Sequence, residues 1–129
     1  MINVLAAYDT KSENVSNIIN NLKQYIENSG KEMKIYLKST SKSKYDIYLI
    51  LTNSIEEIKK YKEKYKFKDN VIILTNKLNK EYIMECIKYS ENVGFLNSTD
   101  KVICDRIEKV YEKRIKQSDD FSIAPMLDK

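Results

Sequence analysis

Polar side chains gather where four apolar runs end: Asp9, Thr10, Lys11 and Ser12; Thr52 and Asn53; Thr75 and Asn76; Asn97, Ser98 and Thr99. Amides and hydroxyls with one carboxylate and one nearby lysine are equipment for holding a small anion or a nucleotide, not for breaking bonds. The ligand set this suggests is Asp9, Thr10, Lys11, Asn53, Thr75 and Asn97. The competing reading is that the same residues cap helices and form turns. There is no histidine, which excludes imidazole metal sites, Ser-His-Asp triads and histidine general bases. A lone aspartate is a poor magnesium site, because that ion wants several oxygen ligands in strict octahedral geometry. No metal or cofactor is therefore expected. The only glycines, Gly30 and Gly94, are isolated, so neither a dinucleotide fingerprint nor a P-loop is present. Tyr8 and Thr10 make only a thin version of a flavin site. Cys86 and Cys104 are not a CxxC pair and fall on the apolar sides of helical segments, where a thiol is packed and inert.

A second constellation is basic. Lys59, Lys60, Lys62, Lys64, Lys66 and Lys68 alternate with Tyr61, Tyr65 and Phe67, the interleaving a single-strand nucleic-acid surface would show. Glu56, Glu57 and Glu63 share the segment, however, and a solvated helix face is the simpler expectation. The net charge is +4, from 23 basic and 19 acidic residues, and only Arg106 and Arg114 are arginine. Specific phosphate and guanine recognition favours the rigid guanidinium fork, so nucleic acid is not an expected partner. The ten tyrosines favour protein contacts instead.

The elements that position these groups follow from periodicity. The 129 residues fit one domain, with 42% hydrophobic and 33% charged residues. Two glycines and one proline argue against an all-β sandwich or barrel, which needs many tight turns. Residues 1–8 read as a buried strand, and residues 13–29 as a helix whose face is Val15, Ile18, Ile19, Leu22 and Ile26, with Ser12 as N-cap and Gly30 as its stop. Met33, Ile35 and Leu37 alternate with polar residues, as in an edge strand. Strands are expected at 46–52, 71–75 and 93–96. Helices are expected from the capping-box spacing Ser54 to Glu57 as far as Phe67, over 80–90 with Ile83, Cys86 and Ile87 inward, and from Thr99 or Asp100 to about Gln117 with Ile103, Ile107, Val110 and Ile115 inward. The order β-α-β-β-α-β-α-β-α predicts an α/β fold: a three-layer, doubly wound, flavodoxin- or receiver-like, five-stranded, mainly parallel sheet of order 2-1-3-4-5. The helix between the second and third strands is missing. An extended link is favoured there over an antiparallel hairpin. Residues 1–117 form the expected domain and 118–129 a tail or linker. The longest apolar run, of roughly five residues, falls far below the ~20 that span a bilayer, and Asp9 and Lys11 interrupt any leader-like stretch. A cytoplasmic protein without membrane insertion is expected.

Over residues 2–117 the chain resembles a response-regulator receiver domain. Asp9 resembles one member of that family's acidic pair, residues 45–51 (YDIYLIL) its third strand, and residues 71–75 (VIILT) its fourth, with Thr75 at the switch hydroxyl. The departures are chemical. Leu51, Thr52 and Asn53 stand where the family's phospho-accepting aspartate closes the third strand, and Asn97 where its lysine follows the fifth. An amide or a hydroxyl cannot form the acyl phosphate. The resemblance therefore implies a degenerate pseudo-receiver with no enzymatic activity, of the kind that precedes a P-loop ATPase in TadZ/CpaE-type pilus-assembly proteins, although no Walker motif occurs in these residues. It implies a regulatory protein-interaction module that pairs with a protein partner or forms a homodimer. The expected face is the last helix, the helix before it and the last strand, with Tyr82, Tyr89, Arg106 and Tyr111 as anchors.

Overall fold

A strand covered on both faces needs apolar residues at every position, and the central runs of this chain meet that demand. The structure, a computed structural model, describes residues 1–9, 11–37 and 44–127, with side chains described as far as residue 116. β1 (Ile2–Tyr8), β3 (Ile47–Leu51) and β4 (Val71–Thr75) form the middle of the sheet, and all five residues of β4 are buried. β2 (Met33–Tyr36) alternates, Met33 and Ile35 inward and Lys34 outward, as an edge strand must. β5 (Val93–Phe95) forms the other edge. The order is β2-β1-β3-β4-β5 and every pairing is parallel. Because β1 lies between β2 and β3, those two strands do not form a hairpin. Their connection runs through residues 38–43, outside the described residues.

Helices cover both faces. α1 (Glu13–Ser29) begins where the Ser12 hydroxyl accepts the Val15 N–H at 3.4 Å and ends at Gly30, whose φ of 66° a glycine takes without steric cost. α1 and α4 (Asp100–Leu127) pack on one face, burying Ile19, Leu22, Ile103 and Ile107 against Val4, Leu49 and Ile72. α2 (Ile55–Tyr65) and α3 (Lys80–Ile87) cover the other with Ile58, Tyr61, Tyr82 and Cys86 against Ile50 and Ile73. Each fully buried leucine or isoleucine contributes about 1.5–3 kcal/mol relative to exposure. No helix among the described residues is long and apolar enough to cross a membrane.

Several local expectations are corrected. The capping box does not form: Ser54 makes no side-chain cap bond, and Glu57 turns instead to the Thr52 hydroxyl. α2 stops at Tyr65, not Phe67, because Lys66 adopts a left-handed φ of 52° and its N–H closes on the Lys62 carbonyl at 2.8 Å. α3 stops at Ile87, and it is Tyr82 with Cys86, one turn apart, that faces the sheet, which turns Ile87 out to 53% exposure. Val110 is buried as expected, but Ile115 is exposed, since α4 at roughly 1.5 Å per residue outruns the short strands beneath it. α4 runs on to Leu127, past the expected end at about Gln117.

Candidate functional site

In an open parallel sheet, the crevice outside the carboxyl ends of the strands is where a ligand would sit. Here β1 and β3 flank the point at which strand order reverses, and their ends present Asp9 and Thr52. Asp9 is exposed, and its Oδ1 accepts the Lys11 N–H at 3.0 Å while its carbonyl accepts the Ser12 N–H at 2.9 Å. One of its carboxylate oxygens thus braces the turn into α1. Lys11 is exposed, and Thr10 lies outside the described residues.

Across the crevice the polar groups are tied to one another. The buried Thr52 hydroxyl donates to a Glu57 carboxylate oxygen and accepts the Ser54 N–H at 3.0 Å. Asn53 Oδ1 accepts both the Thr75 hydroxyl, at 2.7 Å, and the Asn76 N–H, at 2.8 Å. Thr75 Oγ1 in turn accepts the Lys77 N–H at 3.1 Å. The Tyr82 hydroxyl donates to the Thr52 carbonyl at 3.3 Å. Leu96 N–H pairs with the Thr75 carbonyl at 3.0 Å and leaves Asn97 exposed at the rim. Burial pushes the Tyr61 and Tyr82 hydroxyls up to about 12, with the negative charges of Glu57 and Asp9 adding to the effect at Tyr61. Among the described residues no buried side-chain polar atom lacks a hydrogen-bond partner, and no three Cys, Asp or Glu converge as a metal site.

Of the suggested ligand set, then, the structure joins Asn53 to Thr75 directly, while Asp9, Lys11 and Asn97 remain at the exposed rim. Glu57 and Tyr82 belong to this crevice and were not foreseen in it. Glu57 was hidden by its capping-box spacing from Ser54. The only signal for Tyr82 was its i, i+4 spacing from Cys86 on a short helix. Both cysteines are free and fully buried, in opposite layers, and burial pushes the Cys104 thiol up to about 11.

A different feature lies along the β5 edge. Phe95 of β5 is 55% exposed, Val102 of α4 is 46% exposed, and Met84 and Ile87 of α3 are similarly open. These apolar side chains come from the three elements expected to form an interface, though not from the expected anchors. Arg106 is at this edge, its Nη1 donating to the Val93 carbonyl at 3.4 Å, and its guanidinium lies so close to Gly94 that a Cβ there would sit 3.2 Å from Cζ. Tyr82 is buried and offers no contact surface. Tyr89 packs half-buried on the α2/α3 layer and Tyr111 half-buried on the α1/α4 layer, so the four anchors share no patch. In the basic segment Tyr61 and Phe67 are buried and Tyr65 is half-buried, while the lysines and Glu63 are open to solvent, Lys62 lying 5.2 Å from the Phe67 ring.

No protein-family model matches the sequence, and no curated protein matches it. Solved structures do match. A fusion that carries the yeast Spc42 trimeric coiled coil is similar over 98% of this chain and 84% of its own, at 15% identity and a TM-score of 0.65. The receiver domain of the Francisella response regulator 1452 is similar over 88% of this chain and 99% of its own, at 18% identity and a TM-score of 0.63. At such identities the likeness is one of fold: five parallel strands in the order β2-β1-β3-β4-β5 between two helical layers give this chain a receiver-like architecture.

Proposed function

We propose that this chain is a non-catalytic, receiver-like regulatory module that takes no phosphoryl group and works by pairing with a second copy of itself along the β5 edge. The observation that carries this reading is that each of the three elements around the short edge strand exposes large apolar side chains, Met84 and Ile87 from α3, Phe95 from β5 itself and Val102 from α4. A two-fold contact suits this edge, because α3 and α4 display both charge signs around it, Glu81, Glu85 and Lys88 on one helix and Asp105, Arg106 and Lys109 on the other. The strand-end crevice supports the reading that no phosphoryl group is taken. The residues after β3 are Thr52 and Asn53, neither able to form an acyl phosphate, and both are committed to partners. On this reading residues 1–117 are the working unit, 118–129 are a connection, and the parent protein is cytoplasmic. A following P-loop ATPase of the TadZ/CpaE kind is what the resemblance suggests.

The experiment is sedimentation equilibrium over a concentration series, with Phe95→Glu and Val102→Glu as variants and far-UV circular dichroism as the folding control. The wild type is expected to dimerise with rising concentration and the folded variants to stay monomeric. Incubation with acetyl phosphate is expected to leave the mass unchanged. A wild type that is monomeric throughout, or a recovered phosphoryl adduct, overturns the proposal.

A further inference from the structure

The amino end of the sheet, away from both the crevice and the β5 edge, holds a cavity of about 670 Å³ between the start of β3, the α2–β4 connection and the later turns of α4. That volume is in the range of small-molecule sites, roughly 300–1,000 Å³. One wall is aromatic. The Tyr48 and Tyr65 rings stack with centroids 5.7 Å apart at 30°, and Tyr65 continues onto Tyr61 at 6.2 Å and 23°. The rest of the lining is strongly basic: Lys44, Lys66, Lys68 and Arg114 against one carboxylate, Asp46, whose Oδ2 is taken by the Asn3 N–H at 2.8 Å. The carboxyl end of α2 points here and adds roughly half a negative charge. The four cations exceed it. Asp69, 3.8 Å from Arg114 Nε, offsets part of that one cation.

The cavity is built, not a gap between loose loops. Buried Asn70 holds its two rims together, its Nδ2 donating to the Asp46 carbonyl at 3.2 Å and its Oδ1 accepting the Lys68 N–H at 3.3 Å. Lys66 is the one described non-glycine residue with positive φ, at 52°. Glycine would hold that conformation without the steric cost a side chain brings. A lysine there keeps a cation on the wall shared with a neighbouring cavity of about 720 Å³ that Lys59, Lys62 and Phe67 also line. Strain of this sort gathers at binding sites.

We infer that this amino-end cavity binds a nucleotide. A planar base packs against the edges of the Tyr48–Tyr65 tier, whose faces are taken up by Tyr45, Tyr61 and Phe67, and the phosphates reach Lys66, Lys68 and Arg114. Neither half of the lining alone selects this ligand: aromatic rings favour any flat ring and lysines any anion, and a nucleotide is the common metabolite class that carries both. The inference does not rest on the dimer, which uses a different edge.

Isothermal titration with ATP and GTP tests it, against adenosine and inorganic triphosphate as half-ligands, with thermal melting of the ligand-free protein alongside. At least one nucleotide is expected to bind more tightly than either half-ligand. Lys66→Gly is expected to weaken that binding while the melting point of the free protein holds or rises, a combination that a purely structural lysine would not produce. Tyr65→Ala, which removes the middle ring of the tier, is expected to weaken binding roughly 2- to 12-fold, the range for loss of one edge-on aromatic pair. The proposal is overturned if neither nucleotide binds at millimolar concentration, if triphosphate binds as well as the nucleotide, or if Lys66→Gly leaves affinity unchanged.

Discussion

Removing the Asn53 amide tests whether the strand-end crevice is a clasp. Asn53 Oδ1 accepts two hydrogen bonds, from the Thr75 hydroxyl and the Asn76 N–H. Asn76 is exposed, so water replaces its lost partner at little net cost. Thr75 is only 1% exposed and its hydroxyl has no such recourse. In Asn53→Ala the proton of that hydroxyl loses its Asn53 acceptor and has only the neighbouring Tyr82 hydroxyl to turn to, a penalty of about 1–3 kcal/mol. Thr75→Val removes the hydroxyl itself; of its partners, Asn53 and the Lys77 N–H are exposed and Tyr82 keeps its bond to the Thr52 carbonyl, so the expected cost is about 1 kcal/mol. The double variant contains no orphaned hydroxyl, so its cost should fall short of the sum by about 1–2 kcal/mol. Urea unfolding followed by far-UV circular dichroism, with an unchanged denaturant slope, measures all three. An Asn53→Ala protein within about 0.5 kcal/mol of wild type, or strictly additive variants, would refute the clasp and return these side chains to the pool of available ligands.

Two further outcomes follow from burial. Tyr61 and Tyr82 are held up to about 12 and Cys104 up to about 11 chiefly by burial, so the folded state keeps protons that the unfolded chain releases at lower pH. The stability these groups contribute is complete below their unfolded values, near 9 for the thiol and 10 for the phenols, and is lost as pH climbs toward 11 and 12, at most about 2–3 kcal/mol for each. Urea midpoints should be level from pH 6 to 8 and drop steeply above pH 10; a flat alkaline limb would contradict the burial of these side chains. The orientation of the α2/α3 layer predicts a contrast of another kind: Ile58→Ala, at a fully buried site, should cost about 2–5 kcal/mol, and Ile87→Ala, on the open face of α3, less than about 0.5 kcal/mol. Chemical denaturation of the pair decides it, and equal losses would place Ile87 back inside.

Much of the architecture was legible because it depends on patterns local to the chain. Apolar runs such as residues 71–75 mark strands covered on both faces, and Ser12 and Gly30 delimit α1 with side-chain and backbone chemistry that is fixed by residue type. Alternation of those runs with amphipathic helices was enough for the parallel order. The resemblance to receivers rested on Asp9 and on two strands, and the likeness that emerged was of fold. The site was less legible. Ser54 and Glu57 have the spacing of a capping box, but the buried Thr52 hydroxyl needs an acceptor that water cannot supply, and Glu57 meets that need first.

By itself, then, the sequence determined the class of fold, the two faces of each long helix, and the identity of the residues that follow β3, Thr52 and Asn53, because residue type and spacing alone decide these. Only the tertiary structure decided that Asn53 and Thr75 spend their polar atoms on each other, that Tyr82 is core while Phe95 and Ile87 are surface, and that lysines 20 or more residues apart, Lys44 and Lys66, share one aromatic cavity with Arg114. The physical reason is that a hydrogen bond or a shared cavity belongs to groups brought together by packing. On helices as short as α3, a rotation of one residue, which local patterning does not resolve, exchanges buried for exposed.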